Sequence, residues 1–591
     1  MNEIVSNIIM PALSLIGGLA LFLFGMDFMG DGLKKLSGSQ LESVLARLTS
    51  NRLRGFLLGL GVTAVIQSSS ATTVMLVGFV NSGIMTLSQT IATIMGANVG
   101  TTVTAWILST AGIGDSLWWL KLLKPDAFTP VLSVIGVIMI MAAKSEKKKN
   151  IGSILVGFAV LMFGMDAMSG AMSGLKDNPD FAKILVMFEN PILGILAGTI
   201  LTAIIQSSSA SVGILQALSL TGAIPMSTAI PVILGQNIGT TITPILSALS
   251  GNRDSKRVAI SCLYIKVIGV VVFTAVFYGI NAISSFGFMD GVYKASVFNI
   301  ALFHTLFNIL STIILIPFCN QIEKLAVWTF KGDVEEKNEL SVLDERFLAM
   351  PGFALEKARE TVSEMIKITA TSVNTSLDKL FDYDEKTEVR IKEQEELVDN
   401  YEDKLGTYLV KLAGHQLDMK NANEVTTLLH VIGDVERISD HACNLLKASK
   451  EIYEKKIVFS DKARYEIDVI TKAVKEIVDL SVTCLENQDQ EIAKKIEPLE
   501  QVIDKLKYKM KRNHIERLQN DQCTIELGFV YSDIINNLER ISDHCSNIAV
   551  CVLQREEGSF EPHEYLNHVK NDGENNFISQ YDVYKSKYRL Q

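Results

Sequence analysis

Two apolar stretches, each long enough to enter a bilayer, carry the same four consecutive polar residues. "VIQSSSATTV" holds Gln67, Ser68, Ser69 and Ser70, and "IIQSSSASVG" holds Gln206, Ser207, Ser208 and Ser209. The offset is 139 residues. The same offset relates "LFLFGMD" at 21–27 to "VLMFGMD" at 160–166, and "GANVGTTVT" at 96–104 to "GQNIGTTIT" at 235–243. No insertion intervenes, so the chain contains a duplicated unit. Repeats of this kind build many secondary transporters.

Charge divides the chain. Residues 1–330 carry 19 Lys+Arg against 14 Asp+Glu, a net of +5, while residues 331–591 carry 36 against 51, a net of −15. The first half has long uncharged runs, such as those between Arg54 and Asp115 and between Glu189 and Arg253. A membrane domain followed by an acidic, water-soluble domain is therefore expected. Seven cysteines without a CxxC spacing suggest reduced thiols and a cytosolic soluble half. The N-terminus lacks a basic n-region, and its apolar segment runs on as a full span, so no cleavable signal is expected.

Basic segments mark the cytoplasmic side. Lys34, Lys35, Arg47, Arg52 and Arg54, then "KSEKKK" at 144–149 and "RDSKR" at 253–257, are placed inside. The segments 109–126, with Trp118 and Trp119 as interface anchors, and 169–191 are placed outside. The two repeats then have opposite orientations. Two full crossings between Arg54 and Asp115 would return the chain to the wrong side. One block must turn back, and the sequence predicts re-entrant hairpins over 55–82 and 192–222 with QSSS at their tips. Such backbone is tolerated at depth only against protein or a water-filled cavity.

A hairpin tip leaves helix ends unpaired, and exposed N–H groups favour anions while exposed carbonyls favour cations. Ser, Thr, Gln and Asn both donate and accept. Two antiparallel tips meeting near the midplane would make one site from both repeats. The "NxGTT" residues Asn98, Thr101, Thr102, Asn237, Thr240 and Thr241 add oxygens. This chemistry suits a small anion carried with a small hard cation such as Na⁺. A lone membrane serine serves helix packing as readily as a site, but the duplicated set points to a site. Asp27 and Asp166 lie near the ends of their spans and read as caps or interface groups. Lys266 and His304 fall in later spans, near 258–280 and 297–318, have no repeat counterpart, and stay outside the candidate site. Gln236 stands where the first repeat has Ala97, so the halves are not equivalent.

The acidic half also repeats. "DVERISDHACN" at 434–444 answers "NLERISDHCSN" at 537–547, and "EQEELVDNYEDKL" at 393–405 answers "EPLEQVIDKLKYKM" at 497–510. Each carries an ExxxD pair: Glu395–Asp399, Glu436–Asp440, Glu500–Asp504 and Glu539–Asp543. Residues i and i+4 share a helix face, so each pair sets two carboxylates side by side. Four such pairs, with His441 and His544 nearby, suit Mg, Mn, Fe or Zn. Periodicity predicts three helices per repeat (353–382, 384–414, 420–449; then 459–486, 488–518, 524–555), giving two three-helix bundles. The tail 556–591 reads as polar and poorly ordered. No nucleophile–base set, phosphate-cradling GxxxxGK[ST] or basic nucleic-acid patch is present, so neither an enzyme nor a nucleic-acid partner is expected.

The paired QSSS and NxGTT motifs over about 10–318 resemble the sodium–phosphate cotransporter family called type II in animals. The acidic half, over about 345–555, resembles PhoU, the phosphate-regulon accessory protein. The resemblance implies phosphate as substrate and Na⁺ as coupling ion, with Gln67–Ser70 and Gln206–Ser209 at the binding centre and the NxGTT residues beside them. It also implies divalent or iron-type metal clusters on the eight ExxxD carboxylates. The expected fold is all-α: a polytopic membrane domain of two inverted repeats with re-entrant hairpins, then a soluble PhoU-like pair of three-helix bundles. The expected divisions are 1–143 (repeat one), 144–330 (repeat two with two closing helices), a linker at 331–350, the cytoplasmic PhoU-like domain at 351–555, and the tail. The setting is a multi-pass cell-membrane protein whose partners are phosphate, sodium, the lipid bilayer and, through the PhoU-like part, another copy or a signalling protein. Two rival readings are a carrier of another small anion, such as a dicarboxylate or sulfate, and a membrane-anchored phosphate-signalling adaptor.

Overall fold

The structure, a computed structural model, describes residues 10–47, 52–112, 125–173, 187–332, 342–415, 417, 419–554 and 575–590. The anchors Trp118 and Trp119 and most of the 169–191 segment lie outside them. The described residues are helical and form two compact units, Met1–Ala349 and Met350–Gln591.

Repeat one comprises α1 (Met10–Arg47), α2 (Arg52–Ile66), α3 (Ser69–Asn81), α4 (Leu87–Gly100), α5 (Thr102–Ser109) and α6 (Pro125–Ala142). Repeat two comprises α7 (Glu146–Ser173), α8 (Pro191–Ile205), α9 (Ser208–Leu220), α10 (Met226–Gly239), α11 (Ile242–Ala248) and α12 (Arg253–Ser284). Then come α13 (Val297–Leu315) and α14 (Cys319–Thr329). Six helical spans among the described residues are long and apolar enough to cross a membrane. The hairpin arms are not. At ~1.5 Å per residue, the 15 residues of α2 and the 13 of α3 fall short of a hydrocarbon core of roughly 30 Å.

The first helices of the two repeats run antiparallel along a glycine seam. Gly18 abuts Met168, Gly25 abuts Leu161, and Gly157 abuts Met29, so one number falls as the other rises. An inverted duplication requires that arrangement, and small residues let the two backbones approach. Each hairpin then leans on the next span through a second seam. A Cβ at Gly59 would overlap the Thr93 carbonyl, and one at Gly96 the Phe56 carbonyl; Gly198 meets Val232 and Gly235 meets Ile195 in the same way. Every one of these positions is matched at the 139-residue offset.

The segment expected as a linker at 331–350 includes a short 3-10 helix, Glu345–Ala349. It belongs to the first unit: Phe347 packs on Phe79, and Asn81 donates to Asp344 at 2.8 Å.

The second unit holds α15 (Pro351–Asp378), α16 (Glu385–Ala413) and α17 (Met419–Glu454), then α18 (Asp461–Asn487), α19 (Gln490–Gln519) and α20 (Ile525–Gln554). Apolar residues at helical spacing, such as Ile391, Val398, Leu405, Leu409 and Leu412 on α16, fill each bundle core. The tail contains a further helix, α21 (Asn575–Lys587), packed against α19. Lys587 pairs with Glu476 at 2.8 Å and Lys509 donates to the Leu590 carbonyl at 2.8 Å, so this part of the tail is tied down rather than loose. All seven cysteines are free thiols.

Candidate functional site

Each QSSS motif divides a hairpin into two helices, and each residue has a separate part in the break. Gln67 and Gln206 end the first arm in the left-handed region, at φ 61° and 60°. Their N–H groups close the last turn on Thr63 and Thr202, at 2.8 and 2.7 Å. Ser68 and Ser207 are extended (φ −143° and −138°) and cap the second arm, their Oγ atoms accepting from the amides of Ala71 and Ala210 at 3.2 Å. The remaining serines, Ser69, Ser70, Ser208 and Ser209, begin α3 and α9. A left-handed conformation costs a non-glycine residue about 1–2 kcal/mol. The same departure recurs at both equivalent glutamines, which the surrounding fold must hold in place. Helix N-termini and side-chain hydroxyls converge there, an arrangement suited to an anion.

The two tips meet. The Ser70 hydroxyl donates to the Gln206 carbonyl at 3.4 Å. Thr104 joins both repeats: its hydroxyl donates to Gln67 Oε1 at 2.8 Å and accepts from the Ser209 hydroxyl at 3.4 Å. Thr104 ends the "GANVGTTVT" motif, yet sequence reasoning stopped at Thr102. The signal was its place in the repeat. The tips are not equivalent here: Gln67 is buried and Gln206 is exposed. Likewise Thr63 donates to Thr72 at 3.0 Å, whereas the matching Thr202 and Ser211 hydroxyls are buried without a partner.

The NxGTT segments form kinks where α4 meets α5 and α10 meets α11. Thr101, Thr102, Thr240 and Thr241 return their hydroxyl protons to their own helices, at 2.7–3.0 Å, which bends the helix and leaves oxygen lone pairs free. Gly100 and Gly239 serve close approach, to the carbonyls of Leu60 and Thr199, and not a left-handed turn. Asn98 and Asn237 line one small cavity together with Lys266, Asn308, Ser311 and Thr312. The sequence left Lys266 and His304 aside; the fold brings Lys266 to both NxGTT asparagines and sets His304 within its electrostatic reach.

In the second unit the ExxxD pairs of α16 and α17 face one another. Burial raises the Glu395 carboxyl above its ordinary range, and Asp440 and Asp399 push it further; Glu436 is raised by burial and by Asp440. Glu402 joins this group through its field on Glu436. The other bundle differs. There Lys507, which occupies the repeat position of Glu402, binds Glu539 at 2.6 Å and acts on Asp543. Glu539 Oε2 is buried without a partner, and Asp543 is raised by burial and by Glu539. His441 and His544 lie within electrostatic reach of Asp440 and Asp543, respectively. Their Nδ1 atoms donate across the bundle interface to Asn537 and Asp434, each at 2.8 Å. Among the described residues no three His, Cys, Asp or Glu side chains close into a metal-ligand set.

Comparison with known proteins fits this geometry. The Na+/Pi-cotransporter family model matches residues 21–170 and 176–291, and the PhoU domain model matches 362–448 and 467–552. "Putative inorganic phosphate export protein YjbB" of Salmonella typhimurium is 22% identical over 561 residues, covering 94% of this chain and 99% of that protein. "Uncharacterized protein YqeW" of Bacillus subtilis is 30% identical over 307 residues, covering 51% of this chain and 93% of that protein. "Sodium-dependent phosphate transport protein 2A" of Rattus norvegicus is 33% identical over 124 residues, 19% of this chain and 20% of that protein. A duplicated helical membrane unit with paired QSSS tips, followed by two PhoU-type bundles, thus belongs to the Na+/Pi-cotransporter family.

Proposed function

We propose that this protein is a secondary active carrier that moves inorganic phosphate coupled to sodium across the cell membrane, with its acidic unit in the cytoplasm as a regulatory domain. The observation that carries this reading is the meeting of the two tips through Ser70, Gln206, Thr104, Gln67 and Ser209. It gives one polar site built from both repeats. The buried Gln67 and exposed Gln206 support alternating access: exchange of the two environments would turn the site from one side to the other. The name of the full-length Salmonella relative favours export as the physiological direction, and the rat relative's name favours sodium as the coupling ion.

Reconstituted full-length protein is expected to accumulate radiolabelled phosphate in liposomes under an inward Na⁺ gradient and not under an equal K⁺ gradient. Equal accumulation with both cations would remove sodium coupling. Competition by sulfate or a dicarboxylate at phosphate concentrations would change the substrate.

The metal reading divides between the bundles. Glu395, Asp399, Glu402, Glu436 and Asp440 form no ion pair with a lysine or arginine among the described residues, and their hard oxygen donors fit a divalent or iron-type ion. In the other bundle the Lys507 ammonium already compensates Glu539. Among the described residues the carboxylates are not gathered into a ligand set as they stand, so loading requires them to draw together on the ion, and it is expected in the first cluster alone. Lys507→Glu should raise the metal content of the purified protein and Glu402→Lys should lower it, measured by elemental analysis; unchanged content in both variants would refute the division.

A further inference from the structure

The cavity between the two repeats raises a question that phosphate binding at the tips does not answer. Lys266 on α12 is 7% exposed, lies in a membrane-spanning helix, and lines this cavity with Asn98, Asn237, Asn308, Ser311 and Thr312. No aspartate or glutamate lines it. A charge at that depth is costly unless it has a partner or a task.

The cavity walls suit a cation. Asn237 turns its Nδ2 back to the Ile233 carbonyl at 3.0 Å, and Asn308 turns its Nδ2 to the His304 carbonyl at 2.8 Å. In both, the amide donor is taken up by the helix's own backbone, which leaves the oxygen as the end free to accept. The Ser311 hydroxyl is buried without a partner and adds another oxygen. The free space is ≈ 10 Å³, about one water. A tetrahedral anion is several times larger than this space. What shares this space with Lys266 is a set of neutral polar side chains, Asn98 and Asn237 from the two NxGTT motifs and Asn308, Ser311 and Thr312 from α13.

We infer that Lys266 is a tethered cation, its ammonium holding the place of one coupling ion between Asn98 and Asn237. The inference rests on the sodium-coupled reading above. A lysine at this shared place lowers the number of sodium ions carried per cycle. The lysine also explains why that place needs no carboxylate: the charge is supplied by the chain.

Equilibrium binding of ²²Na⁺ to the purified full-length protein, without phosphate, tests this. Lys266→Met, or Lys266→Gln if the first folds poorly, should bind one more sodium ion per chain than the wild type. Lys266→Arg should keep the wild-type count. Adding Asn237→Ala to Lys266→Met should remove the gained ion. An unchanged sodium count in a neutral variant with an intact melting transition would overturn the inference. So would loss of ³²P-phosphate binding with no change in sodium, which would make Lys266 an anion partner. The sodium count is read without phosphate. A wild type that binds sodium but moves no phosphate would therefore defeat the substrate reading and leave this inference standing or falling on its own result.

Discussion

Gln206→Ala is expected to abolish phosphate flux in reconstituted vesicles while the protein stays folded. Two facts make this position the cleanest test of the tips. The Gln206 side chain is exposed, and its hydrogen bonds to the rest of the chain run through the backbone: its N–H to Thr202 at 2.7 Å, and its carbonyl from Ser70 at 3.4 Å. Removing the amide therefore leaves the break in place. Alanine keeps the left-handed φ of 60° at the same cost of about 1–2 kcal/mol that the native glutamine already carries. Gln206→Gly relieves that cost and still lacks the amide. Both variants should lose roughly 100-fold or more in initial rate, the scale expected when a positioning group is removed, while the alanine variant should melt close to the wild type and the glycine variant no lower. A glycine variant with wild-type flux would show that the motif is needed for its backbone alone. Gln67 is a less clean test, because its Oε1 holds the Thr104 hydroxyl.

The largest loss of stability is expected at the seam between hairpin and span. Gly96→Ala and Gly235→Ala each drive a Cβ into a backbone carbonyl, of Phe56 and Ile195. Backbone cannot swing aside as a side chain does. Overpacking usually costs about 1–3 kcal/mol, and here the upper end or beyond applies. The hairpin would separate from the span that carries the NxGTT kink. Melting temperature in detergent and monodispersity report the loss. Gly61→Ala is the control: nothing lies within 4 Å of its Cβ, and alanine in a helix interior gains about 0.5–1 kcal/mol over glycine. Equal melting of all three variants would mean that the seam is loosely packed.

The sequence by itself determined whatever depends on neighbours along the chain. The 139-residue offset implied two like units. A polar quartet inside an apolar run implied a break with QSSS at its tip, and the structure adds that the first serine of each quartet caps the second arm. The ExxxD spacing set carboxylates on one helix face, and periodicity located all six bundle helices to within a few residues.

Tertiary structure decided which faces meet. Lys266 and His304 have no repeat counterpart, so symmetry could not direct attention to them; only the packing of α12 and α13 against α4 and α10 brings Lys266 to Asn98 and Asn237. Thr104 became the bridge between the tips because α5 crosses α9, a contact over more than a hundred residues of chain. Lys507 could be read in the sequence as a basic residue at the Glu402 position, but its bond to Glu539 depends on how α19 lies on α20. The physical reason is the same in each case. Caps, breaks and helix faces follow from backbone geometry within a few residues, whereas the surroundings of a charge are set by which helices pack together.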